Sequence, residues 1–321
     1  MPNRVVYFNG DFVPELEARV SIFDSALMFG DMVFEMTRTF RHRPFRLRAH
    51  LERLYASMRL LQIDGGMSID DMERATLDVL ERNLPTEDDD VDWLIMHDVS
   101  NGPLRTYHTV FPSGARPTVS INCWPLIVHM GNSAANYRNG VRLEIPSQQA
   151  IPAHLMDAKA KTRSRQHYAM ANTQAARMDG WPVLMDTDGF LAEGTGFNIF
   201  LVKDGVLYTP EPRNILLGVS RGTTMELAHR LSIPVREANL GRYEAMNADE
   251  LFCTATTYSL VHASHFEGQP IGTGGPGPVF SRLTEAWKKL VGLDLVAQAQ
   301  AYESRMAKWE KSEVQETTVN T

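Results

Sequence analysis

Val183-Leu184-Met185-Asp186-Thr187-Asp188-Gly189-Phe190-Leu191-Ala192-Glu193-Gly194-Thr195-Gly196-Phe197-Asn198-Ile199-Phe200-Leu201-Val202-Lys203-Asp204-Gly205-Val206-Leu207-Tyr208 is the run whose reading decides the fold. Asp188-Gly189 sits between Val183–Met185 and Phe190-Leu191. Lys203-Asp204-Gly205 sits between Ile199–Val202 and Val206–Tyr208. Asp-Gly and Asn-Gly supply the positive φ that tight hairpin turns require. A third such signal, Asn9-Gly10, separates Val5–Phe8 from Phe12-Val13. The sheets are therefore at least partly antiparallel.

Elsewhere the apolar period lengthens. Leu47, Leu51, Leu54, Met58 and Leu61 repeat at helical spacing and form one apolar stripe. Residues 164–179 read as a second helix ending near Gly180, and a third starts around Ser220 with Met225, Ala228 and Leu231. Phe280, Leu283, Trp287 and Leu290 mark a fourth. Hairpins segregated from helices predict an α+β (mixed α/β) chain. The polar stretch 127–138 reads as a linker between an N-terminal domain, 1–126, and a C-terminal domain, 139–302, with a fraying tail at 303–321.

The 321 residues carry 43% hydrophobic and 22% charged side chains and a net charge of −7. That is ordinary for a globular chain and argues against nucleic-acid binding. No apolar run approaches the ~18 residues that span a bilayer, and no signal peptide opens the chain. Cys123 and Cys253 are the only cysteines, which fits a reducing, cytoplasmic setting. The histidines show no ligand spacing, so no metal is expected.

Four weak signals follow one another in order. Lys161, in Asp157-Ala-Lys-Ala-Lys161-Thr-Arg163-Ser-Arg165-Gln166-His-Tyr168, precedes Glu193 by 32 residues. Alone, a lysine in so basic a segment reads as a surface patch. Cations beside it would nonetheless depress its pKa and free the amine for Schiff-base chemistry. Glu193 before a Gly-x-Gly turn suits a carboxylate that pairs with a protonated ring nitrogen. Gly218-Val219-Ser220 opens a helix, where backbone N–H groups can meet a phosphate. Thr256, in Thr254-Ala-Thr-Thr257, can add a hydroxyl. Arg53 lies off the apolar stripe and by periodicity faces sideways or outward.

Further segments complete a pattern: Phe29-Gly-Asp-Met-Val-Phe34-Glu35, Phe45-Arg-Leu-Arg-Ala-His50-Leu-Glu-Arg53-Leu54, Asp188–Asn198, Leu217-Gly-Val-Ser-Arg221, Ala248-Asp-Glu-Leu-Phe252 and Gly275-Pro-Gly-Pro278. From about residue 5 to about 293 the chain resembles the class IV, fold-type IV, pyridoxal-phosphate aminotransferases. That group includes branched-chain and D-amino-acid aminotransferases, (R)-selective amine transaminases and aminodeoxychorismate lyases. The resemblance implies a small α/β N-terminal domain, a larger C-terminal domain with antiparallel strands, and pyridoxal 5′-phosphate held between them. It also implies a homodimer whose partner loop completes the substrate pocket. It gives Lys161 the covalent and proton-moving role, with Lys159 in reserve, and Glu193 the ring nitrogen. Arg53, Val219, Ser220 and Thr256 take the phosphate. Phe34, Arg38, Arg105, His108 and Thr257 line the substrate site.

The substrate signals diverge. Phe34-Glu-Met-Thr-Arg38 is similar to the branched-chain pattern and favours an apolar amino-acid donor exchanged with a 2-oxo acid by a ping-pong route. Pro103-Leu-Arg105-Thr-Tyr-His108 is loosely similar to the carboxylate trap of the D-amino-acid enzymes. An (R)-amine transaminase or a lyase would share the same cofactor residues. The tyrosine that many branched-chain enzymes carry five residues after the lysine is Gln166 here, with Tyr168 two residues on.

Overall fold

The computed structural model describes the backbone of residues 4–111, 116–131 and 133–319, and the side chains of the same residues except 108 and 308–319. The chain forms two compact units. One comprises residues 1–125 with 153–166, the other 126–152 with 167–321.

In the first unit the elements run β1 (Val5–Phe8), β2 (Asp11–Pro14), α1 (Ser25–Phe29), β3 (Met32–Phe40), β4 (Arg43–Pro44), α2 (Leu47–Leu61), α3 (Ile69–Asn83), β5 (Trp93–Ser100) and β6 (Thr118–Pro125). The six strands form one antiparallel sheet in the order β2-β1-β6-β5-β3-β4. Asn9-Gly10 closes β1 onto β2 with Phe8 opposite Asp11, both turn residues having positive φ. Alternation along β3 sorts its side chains onto two faces. Val33 joins Leu47, Leu51, Leu54 and Met58 of α2 and Ile95 and Ile121 of the neighbouring strands in one buried core. Burying each of these side chains stabilises the unit by about 1.5–3 kcal/mol. Phe34 and Arg38 lie on the opposite face. A helix unforeseen in the sequence, α3, starts from a capping box in which Ser68 and Asp71 bond reciprocally.

In the second unit come α4 (Ile127–Met130), α5 (Ala134–Asn139), β7 (Val141–Glu144), α6 (Gln166–Ala176), β8 (Trp181–Met185), β9 (Leu191–Gly194), β10 (Asn198–Lys203), β11 (Val206–Pro210) and α7 (Val219–Arg230). They are followed by β12 (Val235–Ala238), α8 (Arg242–Met246), β13 (Glu250–Ala255), β14 (Ser259–Phe266), β15 (Gln269–Pro270), α9 (Pro278–Val291) and α10 (Leu295–Val319). The sheet order is β12-β11-β10-β13-β14-β7-β8-β9, with β15 on β14. Asp204-Gly205 turns β10 into β11 with Lys203 opposite Val206. The sheet is mixed: β11–β12, β14–β7 and β7–β8 pair in parallel. Leu143, Val183, Ile199, Leu201, Leu251, Cys253 and Val261 bury one face. Phe200 stacks on Phe252 at 5.2 Å, and Phe252 meets Phe280 of α9 at 5.4 Å.

Two boundaries run differently from the sequence reading. The expected linker, 127–138, contains α4 and α5 and belongs to the second unit. Residues 153–166 join the first unit although they lie far along the chain. Phe34 donates its N–H to the Lys161 carbonyl at 2.9 Å and Arg163 donates to the Met32 carbonyl at 2.8 Å, which fastens that segment to β3. The expected tail, 303–321, continues α10 as far as Val319. No helix among the described residues is long and apolar enough to cross a membrane.

Candidate active site

Lys161 owes its position to backbone pairing. Its carbonyl accepts from Phe34, its N–H donates to Ser57 Oγ at 3.1 Å, and Thr162 bridges Val33. The lysine side chain lies over Phe34, with Nζ 4.7 Å from the ring centroid. The Arg163 and Arg165 guanidinium carbons stand 4.0 Å and 5.5 Å from the same ring. Three cations therefore share one aromatic face. Arg163 is anchored by Asp98, Nε to Oδ1 at 2.8 Å. Burial raises the Asp98 pKa and Arg163 opposes the rise. Lys159, in contrast, is exposed and paired with Asp157.

Beneath Lys161, on the helix-covered face of β3, lies a cluster absent from the sequence reading. Glu35 is fully buried. It accepts from Arg53 through both Nε, at 2.8 Å, and Nη2, at 2.7 Å, and bonds His50 Nδ1 at 3.0 Å. Burial pushes the Glu35 pKa up, but Arg53 and His50 outweigh it and hold the carboxyl well below its usual range. Burial likewise pushes His50 down against the pull of Glu35, with Arg53 and Lys161 adding to the depression. Arg53 therefore does not face outward as periodicity suggested: its side chain is only 12% exposed. The buried acid on β3 draws it in. Glu35 thus fixes the orientation of the Arg53 guanidinium through two parallel bonds.

The second unit carries the other residues. Glu193, on β9, is 7% exposed. Tyr168 Oη donates to its Oε1 at 2.8 Å. Asn198 Nδ2, at 3.1 Å, and the Leu216 N–H, at 2.9 Å, donate to its Oε2. Three donors on one buried carboxylate stabilise the anion. Asn198 also donates to the Leu216 carbonyl. It lies so close to Gly218 that a Cβ there would strike its Oδ1. Gly218 N-caps α7, which has no side-chain cap, so its first N–H groups are available to an anion. Ser220 Oγ donates to the Ala255 carbonyl at 3.0 Å. That bond ties Val219 and Ser220 to the β13–β14 turn, which holds Thr256, expected with them at the phosphate, and Thr257, expected at the substrate.

Other expected residues do not converge. Arg38 is 1% exposed, donates Nε to the Thr39 carbonyl, and lies 4.0 Å over the Phe40 ring. Four residues of strand put it about 13 Å from Phe34, so it is built into the sheet rather than offered at Lys161. The extended backbone spreads residues that a short Phe-Glu-x-x-Arg segment gathers on paper. Arg105 is exposed in the short helical turn that follows β5, near Ser100, which pairs with Met32. The side chain of His108 lies outside the described residues. Tyr168 is bonded to Glu193, and Gln166 is exposed.

The chain is similar to known proteins over most of its length. The family described as Amino-transferase class IV matches residues 32–266. The chain is 32% identical over 288 residues to the putative branched-chain-amino-acid aminotransferase of Methanocaldococcus jannaschii, covering 89% of this chain and 96% of that one. It is 30% identical over 289 residues to the branched-chain-amino-acid aminotransferase of Escherichia coli strain K12, covering 88% and 91%. Among solved structures, the T.th. branched-chain amino acid aminotransferase with pyridoxamine 5′-phosphate superposes with a TM-score of 0.81 at 30% identity, covering 91% and 95%.

Proposed function

The chain belongs to the class IV amino-transferases, and from that premise we propose that it exchanges an amino group between a branched-chain or similarly apolar amino acid and a 2-oxo acid, on pyridoxal 5′-phosphate, by a ping-pong route. The observation that carries the reading is Glu193, a buried carboxylate that accepts from Tyr168, Asn198 and the Leu216 N–H. Such a group is the natural partner of a protonated pyridine nitrogen. The residues fit the cofactor. Lys161 supplies the amine, Glu193 the ring-nitrogen acceptor, and Val219, Ser220, Thr256 and Arg53 the phosphate donors. Gly218 keeps clear the space that a Cβ would close against Asn198.

When bound, the cofactor supplies an electron sink conjugated to the substrate Cα. Lys161 would hold it covalently and would carry the proton at the substrate Cα. Arg105 takes the substrate carboxylate, and Phe34 and Thr257 flank the side chain. Phe34-Glu-Met-Thr-Arg38 and the branched-chain names of the relatives support the donor class. Arg105 also keeps open a D-amino-acid donor.

We place the enzyme in the cytoplasm as a homodimer. Cys123 and Cys253 are free and buried. Leu16, Ile22, Leu27 and Phe29 are 66–86% exposed in one short stretch of the first unit, an apolar surface suited to a second copy.

The test is a visible spectrum of the purified protein, repeated with L-leucine, D-alanine and (R)-1-phenylethylamine. A band near ~410–430 nm marks a lysine-bound pyridoxal, and bleaching by L-leucine first is the expected result. Bleaching by the amine as fast as by the amino acids would overturn the carboxylate assignment. Release of pyruvate without an acceptor would indicate a lyase. Absence of any band after cofactor addition would end the catalytic reading.

A further inference from the structure

The turn that carries Thr256 and Thr257 is tied at both ends. Thr256, Thr257 and Tyr258 join β13 to β14 between the register partners Ala255 and Ser259. At one end the Ala255 carbonyl accepts from Ser220 Oγ of α7 at 3.0 Å. At the other, Tyr137 of α5 donates its phenolic hydrogen to the Tyr258 carbonyl at 2.7 Å, across 121 positions of chain. The same carbonyl accepts from the Leu260 N–H at 2.7 Å. It is therefore satisfied without Tyr137, and the second bond fixes its direction rather than sparing a buried acceptor. Direction matters at this peptide. Ser259 follows it with a φ of 58°, a left-handed conformation that a non-glycine residue holds only where its surroundings fix it. The Trp181 ring lies 5.5 Å from the Tyr258 ring. The helix α5 is itself seated by buried Ala134 and by Arg138, whose two terminal nitrogens donate to both carboxylate oxygens of Glu303 on α10, at 2.9 and 3.1 Å.

We propose that Tyr137 is a positioning residue for the cofactor phosphate, holding the Tyr258 carbonyl so that the turn presents the Thr256 hydroxyl. The inference rests on the reading of Thr256 as a phosphate donor. Tyr137 acts through the backbone and touches no reacting group. Ser220 fixes the turn to the helix whose first N–H groups are available to the phosphate, and Tyr137 fixes the far side of the same three residues. Without the second tie the turn pivots about Ala255, and holding the Thr256 hydroxyl at the phosphate then costs conformational entropy. The loss falls on the phosphate alone, because Lys161 and Glu193 serve other atoms of the cofactor and neither lies on this turn.

The experiment titrates the full-length, cofactor-depleted protein with pyridoxal 5′-phosphate and, separately, with pyridoxal, each followed by the visible band of the lysine-bound form. Tyr137→Phe keeps the ring and removes the bond. It should weaken pyridoxal 5′-phosphate about fivefold, the scale of one neutral hydrogen bond, and leave pyridoxal within about twofold. The ratio of the two affinities is the readout, so a variant of lower Tm still reports. Tyr258→Phe is the control. The Tyr258 hydroxyl has no hydrogen-bond partner among the described residues, and the substitution leaves the carbonyl in place, so the ratio should not change. Equal weakening of both ligands by Tyr137→Phe would make the bond merely structural and overturn the proposal. An unchanged ratio in Tyr137→Phe, or the same loss in Tyr258→Phe, would also overturn it. Wild type that bound pyridoxal as tightly as pyridoxal 5′-phosphate would instead overturn the reading of Thr256, and this inference with it.

Discussion

Tyr168 donates its phenolic hydrogen to Oε1 of Glu193 at 2.8 Å, which commits the one tyrosine of the lysine segment to the carboxylate. A hydrogen bond to a charged group contributes about 1.5–3 kcal/mol. Tyr168→Phe should therefore lower kcat about tenfold and weaken cofactor binding, while Gln166→Ala, at an exposed position, leaves both unchanged. Cofactor titration and steady-state kinetics on the two variants check this. The reverse ranking would assign the working contact to Gln166.

Glu35 and Arg53 form a buried pair, and breaking such a pair by removing one partner costs about 3–5 kcal/mol. Glu35→Gln should lose stability on that scale and bind cofactor more weakly, because Arg53 loses its bidentate support. The folded Glu35 pKa is depressed, so the stability it contributes is present above the ordinary carboxylate range. It is lost only as pH falls through the lowered folded value. Urea unfolding of wild type and variant at pH 7 and pH 5 should give the same difference. A difference that shrank between those pH values would contradict the depressed pKa.

These pairs also mark where the sequence is legible. Asn9-Gly10 and Asp204-Gly205 announce hairpins because positive φ is a local demand, and the Leu47–Leu61 stripe announces α2 because its period is local too. The capping box of Ser68 and Asp71 is an equally local signal and marks α3. Lys161 and Glu193 are legible as an ordered pair only through resemblance. Placement is not legible. Arg53 turns inward because Glu35, eighteen residues earlier, is buried beneath it, and no periodicity within α2 contains that acid. Residues 153–166 join the first unit because Lys161 and Arg163 pair with β3, a contact across about 130 positions that no local pattern encodes.

His97 is fully buried with Nε2 2.8 Å from Thr76 Oγ1. Burial drives its pKa down to about 4, against the pull of Glu35 and with the help of His50. The unfolded chain takes up this proton near pH 6.5, whereas the folded chain resists until about pH 4. Stability is thus complete above the unfolded value and is lost as pH falls between the two, by roughly 3 kcal/mol. His97→Gln should flatten the acid dependence of the unfolding free energy from pH 7 to pH 4.5. Equal slopes for both proteins would place the acid sensitivity elsewhere.

Arg38 and Arg105 should separate cleanly. Arg38 is buried against Phe40 and the Thr39 carbonyl, so Arg38→Met should lower Tm and leave KM for L-leucine near wild type. Arg105 is exposed beyond the end of β5, whose Ser100 pairs with Met32, two residues along β3 from Phe34. Arg105→Ala should keep Tm and raise KM for amino acids and 2-oxo acids about tenfold or more, the scale of one lost charge-assisted contact. Its rate with (R)-1-phenylethylamine, which has no carboxylate, should not change. If Arg38→Met raises KM and Arg105→Ala does not, the carboxylate is held from the sheet and not from the segment after β5.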